Sequence, residues 1–156
     1  MTNSSERKIV TFSLGEKMFG IDMSGLIEIR EWEAPTPLPG VPGFIRGVAN
    51  LRGTVIPIVD LSERLGWQAT RVHGRSCILV VVLDGKQAGF LVDEVNDIVS
   101  IDPAQVQPAP EIELAEPGVI AGLIHLVTRG SGEHGTMVSL LELEALGVTR
   151  QLDLAA

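Results

Sequence analysis

The stretch that decides the fold is Gly47-Val48-Ala49-Asn50-Leu51-Arg52-Gly53-Thr54-Val55-Ile56-Pro57-Ile58-Val59-Asp60-Leu61. Residues 48–51 and 54–59 are mostly apolar and rich in β-branched side chains, so each reads as a strand. Only Arg52 and Gly53 are left for the reversal, and a two-residue loop needs φ > 0, which glycine adopts freely. A hairpin with Arg52 at its tip is predicted. Pro57 has no N–H to give to a ladder, which places its strand at a sheet edge or beside a bulge. Asp60 followed by Glu63 has the pattern of a capping box, opening a short helix that Gly66 closes.

The same grammar continues outward. Residues 9–14 and 18–21 are joined by Gly15-Glu16-Lys17, and residues 77–83 and 87–92 by Asp84-Gly85-Lys86, giving two more hairpins. Residues 97–101, 118–128 and 136–141 are further strands, and a short helical ending runs through Gly147. Asp22 or Ser24 can cap a helical turn before the extended segment 26–30. Residues 34–43 and 103–110 are Pro-rich connections. Leu14 to Ile21 overlays Leu83 to Phe90, and Val59-Asp60-Leu61 echoes Leu141-Glu142-Leu143, with residues 129–135 as the insertion in the second half. The chain therefore reads as two similar small β modules, about 8–75 and 76–147, free to exchange elements. A disordered tail is expected at 1–7 and another tail at 148–156. Barrel closure is the usual way to hide the edge strands of such modules.

Composition narrows the function. Among 156 residues, twenty Asp/Glu against twelve Lys/Arg give a net charge of −8, which excludes an electrostatic grip on nucleic acid or anionic lipid. One Cys excludes a disulfide framework. The polar start MTNSSERK does not read as a signal peptide, and the longest apolar run, 77–83, is too short to span a bilayer. A cytosolic protein with no membrane insertion is expected.

Catalytic patterns fail in turn. Gly85-Lys86 lacks the rest of a phosphate loop, and no G-x-G-x-x-G follows a strand. Cys77 lies in an apolar strand with no basic neighbour to make a thiolate. His73 and His134 fall in polar loops. His125 falls on a strand without Cys or His partners at metal spacing, and Ser131 lacks a nucleophile elbow. Asp93 and Glu94, as strand neighbours, point to opposite faces. A small hydrolase or ligand-binding domain built on Asp93, Glu94 or His125 is the competing class. No enzyme, cofactor or metal is expected. What stands out is Arg52 at a tight turn, and Glu28 and Arg30 alternating with Ile27 and Ile29, as in an ordinary half-buried strand with one charged and one apolar face. Trp32 follows directly, as core filler or as an interface anchor.

The string at 47–61 resembles the signature of the CheW-type chemotaxis coupling proteins. So do Phe19-Gly20-Ile21-Asp22 with Glu28-Ile29-Arg30, the lead-in Phe44-Ile45-Arg46-Gly47, Leu91-Val92-Asp93-Glu94-Val95 and Val106-Gln107-Pro108-Ala109-Pro110. The likeness runs in order from about Lys8 to Gly147. It implies an all-β fold with short helices, two SH3-like five-stranded barrels, and an adaptor without catalysis that couples chemoreceptors to the histidine kinase CheA. The implied partners are the kinase's regulatory domain and the cytoplasmic tip of methyl-accepting chemoreceptors. The protein would be a monomer in isolation that joins rings within arrays beneath the inner membrane. Glu28, Ile29 and Arg30, with neighbouring Ile27 and Trp32, fall in the family's contact region. Arg52 corresponds to a basic turn residue implicated in coupling, while Asn50 and Gly53 shape the turn. Ile27, Glu31-Trp32, Glu142 and the loop 129–135 depart from the pattern and would suit a pathway controlling pili, surface growth or development.

The charge is also unevenly placed. Residues 1–75 carry nine Lys/Arg and eight Asp/Glu, and residues 76–156 carry three and twelve, so the acidity belongs to the second half.

Overall fold

The computed structural model describes residues 7–83, 85–108, 119–126 and 135–146. The hairpins read from the sequence are present. β1 (Arg7–Leu14) and β2 (Lys17–Asp22) form the first. A 3-10 turn at Met23–Gly25 follows, capped by the Asp22 carboxylate, which accepts from the Ser24 N–H, and leads into β3 (Leu26–Glu31). β4 (Ile45–Leu51) and β5 (Thr54–Asp60) form the second hairpin, with Leu51 opposite Thr54. Asp60 then caps α1 (Leu61–Arg64). β6 (Cys77–Leu83) and β7 (Lys86–Val92) form the third hairpin, and β8 (Glu94–Ile101), β9 (Ile120–Leu126) and β10 (Thr136–Leu141) complete the strands. A 3-10 turn at Leu143–Leu146 follows β10.

These strands make two five-stranded sheets, in the orders β8-β1-β2-β10-β9 and β3-β6-β7-β5-β4. Each sheet curls into a small SH3-like barrel. Neither is confined to one half of the chain. β1, β2 and β3 follow one another as β6, β7 and β8 do, but the third strand of each trio pairs into the other sheet: β3 on β6, β8 on β1. β10 joins β2, and β5 joins β7, through short parallel ladders. Even the bulges correspond, at Ile27 in β3 and at Asn96 in β8.

The connections cross β4 and β9 in matching ways. Thr36 bridges to Val48, and Gln107 to Leu123. Gly47 lies under the first crossing with φ 145°, and a Cβ there would stand 2.2 Å from the Thr36 carbonyl oxygen. Only glycine permits that approach.

Two expectations are refined. Pro57 does not lie on an edge strand, because β5 is flanked by β4 and β7, but the other reading, a bulge, is met in its ladder, which is bulged at Arg46, opposite Ile58 and Val59 beside Pro57. The ladder to β7 begins only at Ile58, one residue later, so the missing N–H is tolerated where the strand's second side is still unpaired. Arg7, expected in the N-terminal tail, belongs to β1, opposite Ile101. Asp84, residues 109–118 and 127–134 (with Ser131 and His134), residues 1–6 and the C-terminal tail from 147 lie outside the described residues.

Strand alternation sorts the apolar side chains into three clusters. The largest draws on both sheets, with Val10, Phe12 and Leu14 of β1 against Leu79, Val81 and Phe90. The opposite faces fill the barrels. Ile9, Ile124 and Val138 lie in one, and Ile56, Ile58, Ile78 and Val80 in the other. Each such side chain withdrawn from water contributes about 1.5–3 kcal/mol before entropy is counted.

Candidate protein-contact surface

β3 reverses the ordinary arrangement of a half-buried strand. Ile27 and Ile29 are 43% and 41% exposed, while the Glu28 side chain between them is only 21% exposed. The cause is β3's place at the edge of its sheet. Ile29 lies opposite Leu79 and shares its face, but the other sheet covers Leu79 completely and leaves Ile29 in the open. Ile27 sits in the bulge without a partner. Two neighbouring isoleucines are thus offered to solvent on an edge strand, a position that proteins usually cover or charge.

Glu28 and Arg30 lie opposite Val80 and Ile78, on the barrel side of β3. There Glu28 accepts from the Arg30 guanidinium at 3.0 Å and from the Arg52 guanidinium at 2.8 Å. Those hydrogen bonds, Arg30's first and Arg52's second, hold the Glu28 carboxyl below its ordinary value. Arg52 reaches across from the tip of the β4–β5 hairpin, so the ion pair spans the seam between the two edges of one sheet. Trp32 packs half-buried against the cluster inside this barrel.

The tip has a demanding backbone. Arg52 and Gly53 both have positive φ, 52° and 88°, and Arg52 is the non-glycine residue in that region among the described residues. Asn and Gly are the usual occupants of such a turn, and a side chain with a Cβ costs about 1 kcal/mol there. Asn50 offsets part of that cost, its Oδ1 accepting from the Gly53 N–H at 2.8 Å. The cation remains 74% exposed. Val55, next to the turn on β5, is also exposed.

Beneath the loop, Asp60 is wholly buried and accepts from the Arg46 guanidinium, the Thr70 N–H and the Thr70 hydroxyl, each at 2.8 Å. Arg46 also donates to the Thr70 carbonyl oxygen at 2.8 Å. The signature residue Asp60 is thus the anchor of the segment after α1.

A shallow groove of about 270 Å³ lies beside the first 3-10 turn, with an apolar floor that includes Val82, Ile101 and Leu140 and an acidic rim at Glu142 and Glu144. Arg7 is held there by Asp22 at 2.8 Å. Burial opposes ionisation of Asp22, but hydrogen bonds from Ser24 and Arg7 outweigh it and lower its value.

The residues weighed for catalysis have structural company. Burial pushes the Cys77 thiol up, and the nearby Glu94 adds to that, so it is not a ready nucleophile. Asp93 accepts from the Gly15 N–H, Glu94 pairs with Arg75, and the His73 ring accepts from the Arg75 N–H. His125 is exposed on β9. Among the described residues no group of three or more His, Cys, Asp or Glu could hold a metal ion. Sequence reading passes over exposed Val55, Val82, Trp67, Ile98 and Met137. Nothing local marks them, because their exposure depends on which strands become edges.

Two curled five-stranded sheets with apolar, charge-stitched edges define a module of paired SH3-like barrels. The chain belongs to the CheW-like domain family, whose model matches residues 8–150. It is 34% identical over 153 residues to the chemotaxis protein CheW of Rhizobium meliloti, covering 94% of each chain. The crystal structure of the scaffolding protein TtCheW from Thermoanaerobacter tengcongensis superposes with a TM-score of 0.79 at 31% identity, covering 90% of this chain and 91% of that one. Protein PilI of Pseudomonas aeruginosa is 33% identical over 118 residues, covering 74% of this chain and 66% of its own length.

Proposed function

We propose that this chain is a non-catalytic adaptor that couples the cytoplasmic tips of chemoreceptors to the regulatory domain of a CheA-type histidine kinase, in arrays beneath the inner membrane. The observation that carries the reading is the outward pair Ile27 and Ile29 on β3, stiffened by the Glu28–Arg52 bridge behind it. A strand edge with fixed geometry and exposed apolar side chains suits a partner that is itself a barrel, and the charges beside it set register more than affinity. An adaptor needs a second surface, and the groove beside Asp22 supplies one on different residues.

Co-sedimentation tests the coupling. Receptor-bearing membranes should carry the kinase into the pellet when this chain is present and leave it in the supernatant when it is not. Equal sedimentation with and without the chain would sink the proposal. The likeness to PilI supports a second reading, an adaptor in a pathway for pili or surface growth. A deletion strain that swims normally but fails to move on surfaces favours that reading.

A further inference from the structure

The symmetry that relates β1–β3 to β6–β8 also relates two grooves. Ser24, Gly25, Val82 and Glu144 line the small groove beside Asp22, and their equivalents Asp93, Glu94, Ser13 and Ser62 line a second groove of about 980 Å³. That volume lies at the upper end for ligand sites and accommodates a short peptide segment. The second groove shares no lining residue with the β3 surface.

The two grooves differ in charge. The small one has Glu142 and Glu144 on its rim, and its arginine is committed to Asp22. In the large one Asp93 accepts from the Gly15 N–H, and Glu94 takes Arg75. Lys17 and Arg71, which also line it, have no carboxylate partner among the described residues. The recess thus offers two cations without a carboxylate partner beside two carboxylates that already accept from donors.

The recess has an anchor. Trp67 is 41% exposed, its ring 5.6 Å from that of Phe19 behind it, and the Lys17 ammonium lies 4.5 Å from the indole centroid. A part-exposed tryptophan backed by the core, with a cation over its ring, has the features of an interface hot spot. The wall beside it is held in advance by the Asp60–Thr70 bonds, so little ordering entropy is lost on binding.

We propose that this groove binds an acidic peptide segment of a partner protein, with an apolar or aromatic side chain seated on Trp67 and carboxylates paired with Lys17 and Arg71. The acidity elsewhere on the molecule repels such a segment from other surfaces and concentrates it here.

The test is a titration of the full chain followed by the two indole N–H resonances. The probe is an acetylated hexapeptide of sequence Asp-Glu-Phe-Glu-Asp-Leu, and the control replaces its four acids with lysine. The acidic peptide should shift the Trp67 signal to saturation and leave Trp32 in place. Binding should weaken as salt is added, and should fall by about tenfold in Lys17→Glu/Arg71→Glu. Arg71→Glu alone, which leaves the Lys17–Trp67 contact intact, should also weaken binding. An unmoved Trp67 signal, an equal response to the lysine peptide, or undiminished binding in both variants would overturn the proposal. So would a Trp67 shift that follows protein concentration without peptide, which would make a second copy the occupant.

Discussion

Glu28 on β3 and Arg52 at the β4–β5 tip are joined at 2.8 Å, although their strands lie at opposite ends of the sheet order β3-β6-β7-β5-β4. The bond closes a barrel seam and holds the strand whose isoleucines face outward. Arg52 occupies a turn position that favours Asn or Gly. A backbone outlier of this kind points to selection for something other than the turn itself.

Arg52→Asn should therefore separate folding from coupling. Asparagine suits the left-handed turn, and the lost ion pair is exposed, so the melting temperature should move by no more than about a few degrees. Kinase control in a reconstituted receptor assay should fall. A large loss of stability would make Arg52 a structural residue.

Glu28 sets a pH limit on the seam. Its folded-state value is lowered from 4.5, so its bridges stabilise the fold above pH 4.5 and are lost as the pH falls through the folded value. A carboxyl NMR titration should give a Glu28 midpoint below 4.5, moving up in Arg52→Asn. A midpoint at or above 4.5 in the unaltered chain would contradict the bridge.

Asp60→Ala removes the acceptor for four donors, the Arg46 guanidinium, the Thr70 N–H and hydroxyl, and the Glu63 N–H at the start of α1. Leaving them unpaired should cost about 3 kcal/mol in urea unfolding. A cost below about 1 kcal/mol would show that the loop is held by other contacts.

Gly47→Ala forces a Cβ into the Thr36 carbonyl oxygen and strains a φ of 145°. A loss of roughly 2–4 kcal/mol is expected. Gly15→Ala meets no atom within 4 Å, and at its φ of 62° should cost only about 1 kcal/mol.

The hairpins and caps were legible because their determinants are local. The turns between Leu14 and Lys17, Leu51 and Thr54, and Leu83 and Lys86 lie in the sequence itself, as does Asp60 before Glu63. The repeat of Leu14 to Ile21 in Leu83 to Phe90 correctly pairs β2 with β7 as equivalents. What lay beyond reach was long-range pairing. The parallel ladders of β5 on β7 and β10 on β2 leave no local mark, so Pro57 leaves edge and bulge open when its strand is internal and its ladder to β4 bulged. The site shows the same boundary. Alternation identifies two faces of β3, but only its edge position turns Ile27 and Ile29 outward and Glu28 toward Arg52. Trp32 could be filler or anchor by sequence; it packs half-buried against the cluster inside the barrel.

The most direct measurement is a calorimetric titration of this chain and its Ile29→Asp variant against the regulatory domain of the cognate kinase. The unaltered chain should bind in the micromolar range expected of a transient signalling interface. A charge on the exposed face of β3 should weaken binding about tenfold or more while the melting temperature holds, since Ile29 is not core. No binding by the unaltered chain at roughly 50 micromolar, or equal affinity for the variant, would contradict the account.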